Sequence, residues 1–366
     1  MLPSALRTLL KQVSRSFYLS VRVLPSSVQY PIGLAYLLAR AADSIADTKI
    51  GPAVERLSLL RLLSQAAAGD DAAREPLFQQ LADARVSDEG TGENPTAQAE
   101  ARLLSCLPEC LDLLAALPSE DQRLVRWVLD RLAQGMARDL ERFPCVDGVV
   151  PAEQVVALAT LAELDEYCYF AAGCVGEFWT DLTTARLPSL AALREPVLRQ
   201  RGVALGNALQ LVNVVRDVAA DLRIGRCYWP TELLAPHGLS PRRLAELAQG
   251  QAPSSDERSA LIAVSTALCD RAMARCQEAW PYVQALPPSQ VRLRLACCWP
   301  LLLALDTLSA LRAVQSPLLS LSRPVKVRRA QVYSLLWESS GAALRDRLLG
   351  SMRLDIVFAA HAAAVR

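Results

Sequence analysis

The chain has 366 residues, 52% of them hydrophobic, and a formal charge of +1. That supports a large core and gives no bulk attraction to nucleic acid or acidic lipid. Ten cysteines without a CxxC pair and only two histidines, His237 and His361, supply too few ligands for zinc sites or histidine-based triads.

From the N-terminus, MLPSALRTLLKQVSRS lacks a continuous apolar run and a small-residue cleavage site, so no signal peptide is expected. Residues 31–48, PIGLAYLLARAADSIADT, read as a helix. Stepping 4, 3 and 4 residues from Tyr36 reaches Arg40, Asp43 and Asp47, one polar seam on an otherwise apolar cylinder. The polar stretch 86–95, VSDEGTGENP, reads as a surface loop. Cys106 and Cys110 lie one turn apart in an apolar helix and read as reduced core cysteines. A loop is expected at 143–151, FPCVDGVVP. The block 165–176, DEYCYFAAGCVG, sets Tyr167 ahead of Ala171, Ala172, Gly173 and Gly176. Those small residues either leave room for a long ligand or let helices pack closely.

Residues 203–224 repeat the design of the first seam. Stepping 3, 4 and 4 from Gln210 reaches Asn213, Asp217 and Asp221, with Arg216 on the flank. Loops follow at 250–257 and 286–289. The most apolar stretch, 295–305, contains Pro300 and stops at Asp306, well short of the ~20 residues a span needs, so no transmembrane segment is expected. A proline-bounded connection, 316–324, leads to VKVRRAQ, 325–331, whose Lys326, Arg328 and Arg329 suit either a cofactor phosphate or a solvated basic face. No alternating β-branched run and no linker interrupt this pattern. One all-α domain over 1–366 is expected.

The two acidic pairs carry the chemistry. Carboxylates held on one face of a largely buried helix are costly unless something neutralises them. Mg²⁺ typically takes one or two carboxylates and fills its shell with water and phosphate oxygens, and Arg40, Arg216 and Arg226 could meet the same phosphates. Acidic residues are about a tenth of the chain, so one such pair is weak evidence; two matching seams, each with an arginine and an amide or tyrosine, are stronger.

Five ordered blocks, 14–25, 36–47, 165–176, 209–230 and 325–331, are similar to the squalene and phytoene synthase family of head-to-head prenyl synthases. The resemblance implies an all-α isoprenoid-synthase fold with a central cavity between helices. It implies that Asp43, Asp47, Asn213, Asp217 and Asp221 serve Mg²⁺. Ser16, Phe17, Tyr36, Arg40, Gln210, Arg216 and Arg226 match positions that contact diphosphate, metal or prenyl chain, and Tyr167 matches a tyrosine tied to proton removal and cation stabilisation.

Within the family, VKVRRAQ resembles a segment linked to NADPH, with Lys326 and Arg328 as the implied cofactor contacts. Trp229 in GRCYWP and the proline-containing ACCWPLLLALDTL also resemble the squalene-forming branch. The implied reaction joins two farnesyl diphosphates into presqualene diphosphate and reduces it to squalene; the branch without NADPH, ending at phytoene or dehydrosqualene, stays open, as does arrest at presqualene diphosphate. Ala46 and Ala220 stand where eukaryotic members carry glutamates, and Ala296 where many carry phenylalanine. The expected partners are a prenyl diphosphate and, for product release, the membrane surface, with no nucleic acid and no transmembrane anchor. The expected location is cytoplasmic, peripheral to the inner face of the membrane.

Overall fold

The computed structural model describes residues 2–14, 17–47, 51–86, 95–143, 149–193, 196–314, 327–349 and 353–365. The fold is all-α, as the periodicity predicts, and its contacts group into two compact units. One comprises Met1–Arg142 and Phe178–Ala191, the other Phe143–Glu177 and Ala192–Arg366. The loops expected at 86–95 and 316–324 fall almost wholly outside the described residues, as does the middle of 143–151.

In the first unit the chain runs through α1 (Ser4–Val13), α2 (Phe17–Val23), α3 (Ser26–Asp47), α4 (Ala53–Ala68), α5 (Arg74–Val86), α6 (Pro95–Ser105), α7 (Leu107–Ala115) and α8 (Ser119–Arg142). Helix α3 is the axis, packed by α1, α4, α6, α7 and α8. It can be surrounded this way because Val28, Ile32, Leu34, Leu37, Leu38, Ala41, Ala42 and Ile45 bury more than half its circumference. It also starts five residues earlier than expected. Pro31 sits inside it and removes one ladder bond near the N-terminal end, where the loss is tolerated because Val28 and Gln29 already close the first turn onto the Pro25 carbonyl.

The second unit holds β1 (Val156–Ala157), α9 (Leu161–Cys168), a π-helical turn (Tyr169–Gly173), the start of α10 (Cys174–Arg186), then α11 (Pro196–Arg223), β2 (Arg226–Cys227) and α12 (Thr231–Leu234). Helices α13 (Pro241–Ala248), α14 (Ser255–Ala285), α15 (Val291–Ala313), α16 (Arg329–Leu349) and α17 (Arg353–Ala363) complete it. Here α11 is the axis, against α14, α15, α13, α9 and the π turn. Approach to the π turn and α10 is close enough that a Cβ on Gly176 would overlap the Gly202 carbonyl, and one on Gly206 would overlap that of Ala172. The small residues of 171–176 therefore include glycines required by packing, which decides between the two roles at Gly176.

Two further features differ from expectation. A two-residue parallel pairing, Val156 with Arg226 and Ala157 with Cys227, is present although no strand pattern is visible in the sequence. The apolar stretch 295–305 belongs to a longer helix, α15, which continues through Pro300 and Asp306. Among the described residues α15 is the one helix long and apolar enough to cross a membrane, and 72% of its apolar window is buried, as in a core helix. Nine described cysteines are free thiols, eight of them buried. Burial pushes Cys168, Cys227 and Cys276 up to about 12, so they are inert packing residues.

Candidate functional site

Each unit carries one of the predicted seams. In the first, Tyr36, Arg40 and Asp43 are half-buried along α3 while Asp47, its last residue, is exposed. Arg40 is clamped between two carboxylates: Nη1 donates to Asp43 and Nη2 to Glu100 Oε1 at 2.5 Å. Burial alone would lower the Arg40 pKa, but Asp43 and Glu100 outweigh it and the net direction is up, so the guanidinium stays charged. Its Nε is buried without a hydrogen-bond partner among the described residues, a donor that a ligand oxygen would satisfy.

Above Arg40, the Tyr36 hydroxyl donates to the Val13 carbonyl at 3.3 Å, and its ring stacks on Phe17 with centroids 5.0 Å apart. Phe17 also meets Trp179 edge-on at 6.4 Å. Three aromatic rings thus form an apolar wall next to a charged seam. At the other end, buried Arg56 donates from Nη1 to the Ala46 carbonyl at 3.1 Å and from Nε to the Gly51 carbonyl at 2.9 Å. It satisfies a last-turn carbonyl of α3 and complements the negative end of the helix. Ser16 lies outside the described residues.

In the second unit, Gln210, Asn213, Asp217 and Asp221 follow one stripe of α11, all partly accessible, between buried Leu211, Val212, Val214, Val215 and Val218. The stripe is wired to α9. Asn213 Nδ2 donates to Gln210 Oε1 at 3.3 Å, and Gln210 Nε2 donates to the Tyr167 hydroxyl at 3.0 Å. Tyr167 stacks on Tyr228 with centroids 4.1 Å apart, and Tyr228 meets Phe143 edge-on at 5.2 Å. Arg216 holds Asp217 with both forks, Nε to Oδ1 at 2.8 Å and Nη2 to Oδ2 at 2.5 Å. That hydrogen bonding, against the opposing effect of burial and with help from Asp221, raises the Arg216 pKa. Gly225, at φ 86°, turns the chain out of α11, and β2 then fixes Arg226 by pairing with Val156. Arg328 is exposed just before α16, where its backbone N–H donates to Gln331 Oε1 at 3.1 Å; Lys326 lies outside the described residues.

The donor chemistry fits a hard cation. Both seams offer carboxylate oxygens beside permanently charged arginines. Among the described residues no three His, Cys, Asp or Glu side chains cluster tightly enough to hold an ion unaided. A bound Mg²⁺ would complete its shell with water and phosphate oxygens, which is its habit. Position 46 is only 5% exposed and faces the interior, so the alanine there fits the packing whereas a glutamate would be buried.

Several participants escape sequence reasoning. Glu100 is sixty residues from Arg40, and only the packing of α6 on α3 joins them. Tyr228 lies within 209–230 but outside the helical stripe, with no phase that would mark it as a partner of Tyr167.

A family model described as squalene/phytoene synthase matches residues 10–331. A bifunctional lycopene cyclase/phytoene synthase of Arthroderma gypseum is 30% identical over 236 residues, 64% of this chain and 35% of that protein. A squalene synthase of Cyberlindnera jadinii is 25% identical over 331 residues, 90% of this chain and 66% of its own. The chain spans 35% to 42% of the length of the first curated relatives it matches. Among solved structures, a complex of TcSQS with the ligand E5700 superposes with a TM-score of 0.68 at 20% identity, covering 99% of this chain and 97% of that one. The last likeness shows a shared fold.

Proposed function

The chain belongs to the squalene/phytoene synthase family, and on that premise we propose that it is a Mg²⁺-dependent prenyltransferase joining two farnesyl diphosphates head to head into presqualene diphosphate, then reducing it with NADPH to squalene. The observation that carries the reading is the pair of matching seams, Tyr36–Arg40–Asp43–Asp47 and Gln210–Asn213–Asp217–Asp221, each with an arginine already charged and oriented by its own aspartate. Asp43, Asp47, Asn213, Asp217 and Asp221 would hold Mg²⁺. When bound, the cation supplies the positive charge that lets a diphosphate leave as an anion.

The chain's own residues do the rest. Arg40, Arg216 and Arg226 bind the phosphate oxygens and hold the leaving group in place. Phe17 and Tyr36 present ring faces to the prenyl chain, which excludes water and stabilises allylic cation character without quenching it. The Tyr167 hydroxyl accepts a hydrogen bond from Gln210, which positions it to relay the proton lost by the substrate to the released diphosphate, giving up its own proton as it takes up the substrate's, and Tyr228 holds the ring from the far side.

NADPH supplies hydride for the reductive half. Of the two residues assigned to it, Arg328 is exposed where a cofactor phosphate can reach it, and the assignment rests on that charge and on the resemblance of VKVRRAQ. The proposed location is the cytoplasm.

The test is product analysis by gas chromatography and mass spectrometry after incubation with farnesyl diphosphate and Mg²⁺, with and without NADPH. Squalene forming only with NADPH, presqualene diphosphate accumulating without it, and loss of both on chelation with EDTA support the reading. A C40 product from geranylgeranyl diphosphate, indifferent to NADPH, overturns it in favour of the phytoene branch.

A further inference from the structure

Helix α16 has a buried face and an apolar one. One is inside: Leu335, Ser339, Ala342, Ala343 and Asp346 are buried, and the helix packs on α15 and α17. The other is outside. Tyr333 is 70% exposed, Trp337 83%, Leu344 50% and Leu348 79%. At about 100° per residue these four fall within an arc of about 60°, along roughly 22 Å of helix. Most large apolar side chains elsewhere are buried, and a stripe led by an 83%-exposed tryptophan is unlike a random scatter of surface leucines.

The helix cannot roll to hide this stripe. On its inner face, Asp346 pairs with Arg294 at 3.2 Å and accepts the backbone N–H groups of Arg353 at 2.6 Å and Leu354 at 3.3 Å. Ser339 Oγ accepts from Trp299 Nε1 at 3.0 Å. These contacts lock the rotation that leaves Trp337 in water.

We propose that this face of α16 docks onto the interfacial layer of an anionic lipid bilayer. Charge complementarity selects that occupant. Arg345 and Arg347 are exposed on opposite flanks of the stripe, Arg328 stands exposed before the helix and Arg353 after it. The acidic neighbours are fewer: Asp346 is buried against Arg294, Asp355 is half-buried and accepts from Trp280 and Gln284, and exposed Glu338, which accepts from Ser334 at 2.6 Å, keeps its charge against the four exposed arginines. An apolar stripe with Trp and Tyr, bordered by arginines, matches the acyl–headgroup boundary and its phosphates. A second copy of the same face would bring the same arginines together around the contact. The proposal stands on the surface and goes beyond the catalytic reading; an enzyme releasing a water-insoluble hydrocarbon would also gain an outlet into lipid.

The experiment is flotation of the full chain, without substrate, on extruded vesicles of phosphatidylcholine with and without phosphatidylglycerol. The wild type should float with the anionic vesicles and far less with the neutral ones. Trp337→Ser with Leu348→Ser should cut anionic partitioning at least about tenfold at unchanged melting temperature, and Arg345→Glu with Arg347→Glu should abolish the preference for phosphatidylglycerol. Failure of the wild type to float, or wild-type flotation of the Ser variant, overturns the proposal. So does a wild-type dimer that the Ser variant converts to monomer in light scattering, which assigns the face to a second copy. Because no turnover is measured, the result is independent of which product the enzyme makes.

Discussion

Asp217→Asn separates a catalytic carboxylate from a structural one by the ratio of two effects. The Arg216–Asp217 pair is well formed, with hydrogen bonds of 2.8 and 2.5 Å, yet the side chains are 35% and 41% exposed. Solvent screening at that exposure limits the pair to roughly 0–1 kcal/mol of stability. Asparagine also keeps one carbonyl oxygen for Arg216. The melting temperature should therefore fall by no more than about 2 °C in a chain of this size. Turnover is another matter. On the proposed reading Asp217 holds the cation that neutralises the leaving diphosphate, so removing its charge should cost at least about a hundredfold in kcat, or about 2.7 kcal/mol. The assay is steady-state release of inorganic pyrophosphate from farnesyl diphosphate, alongside differential scanning calorimetry. Asp112→Asn is the control, since it breaks the Arg74–Asp112 ion pair at 67% exposure and should leave turnover unchanged. A drop of more than about 5 °C, or turnover within about threefold of wild type, would refute the reasoning.

Other predictions concern the frame around the seams. Asp346→Ala removes one partner of a pair whose side chains are 7% and 2% exposed and unties the start of α17, so a loss of about 3–5 kcal/mol in chemical denaturation is expected. Gly176→Ala forces a methyl group against the Gly202 carbonyl and should cost at least about 2 kcal/mol in the same measurement, whereas a neutral result would mean the helices can part freely. The His361 pKa is raised by its 2.6 Å hydrogen bond to Asp306, against the opposing effect of burial. A raised folded pKa means the stabilisation is complete below about 6.5, the unfolded value, and is lost as pH rises through the folded one. The stability gap between wild type and His361→Gln should therefore be widest near pH 5.5 and close toward pH 9; a gap that widens with pH contradicts the pairing.

The seams were legible because helical phase is local. Asp43 and Asp47, or Asp217 and Asp221, share a face whatever the rest of the chain does, and the apolar residues around them mark helices that must be buried. Helix ends were less legible. Pro31 reads as a start, yet α3 begins at Ser26, because a proline near the N-terminal end removes only one ladder bond while Val28 and Ile32 are drawn into the core. Partners across elements were invisible: Glu100 reaches Arg40 and Tyr228 stacks on Tyr167 through tertiary packing, which no spacing encodes. The glycines of 171–176 were ambiguous in the same way. Only the approach of α11, with the Gly202 carbonyl against Gly176, shows that close packing claims that position. The two-residue strands are too short to show a period at all.

The most direct measurement is isothermal titration calorimetry of inorganic pyrophosphate in the presence of Mg²⁺, on wild type, Asp43→Asn, Asp217→Asn and the double variant. Binding that requires Mg²⁺ in the wild type, weakens at least about tenfold in each single variant and vanishes in the double is the predicted result. Wild-type affinity in the double variant, or binding indifferent to Mg²⁺, would contradict the account.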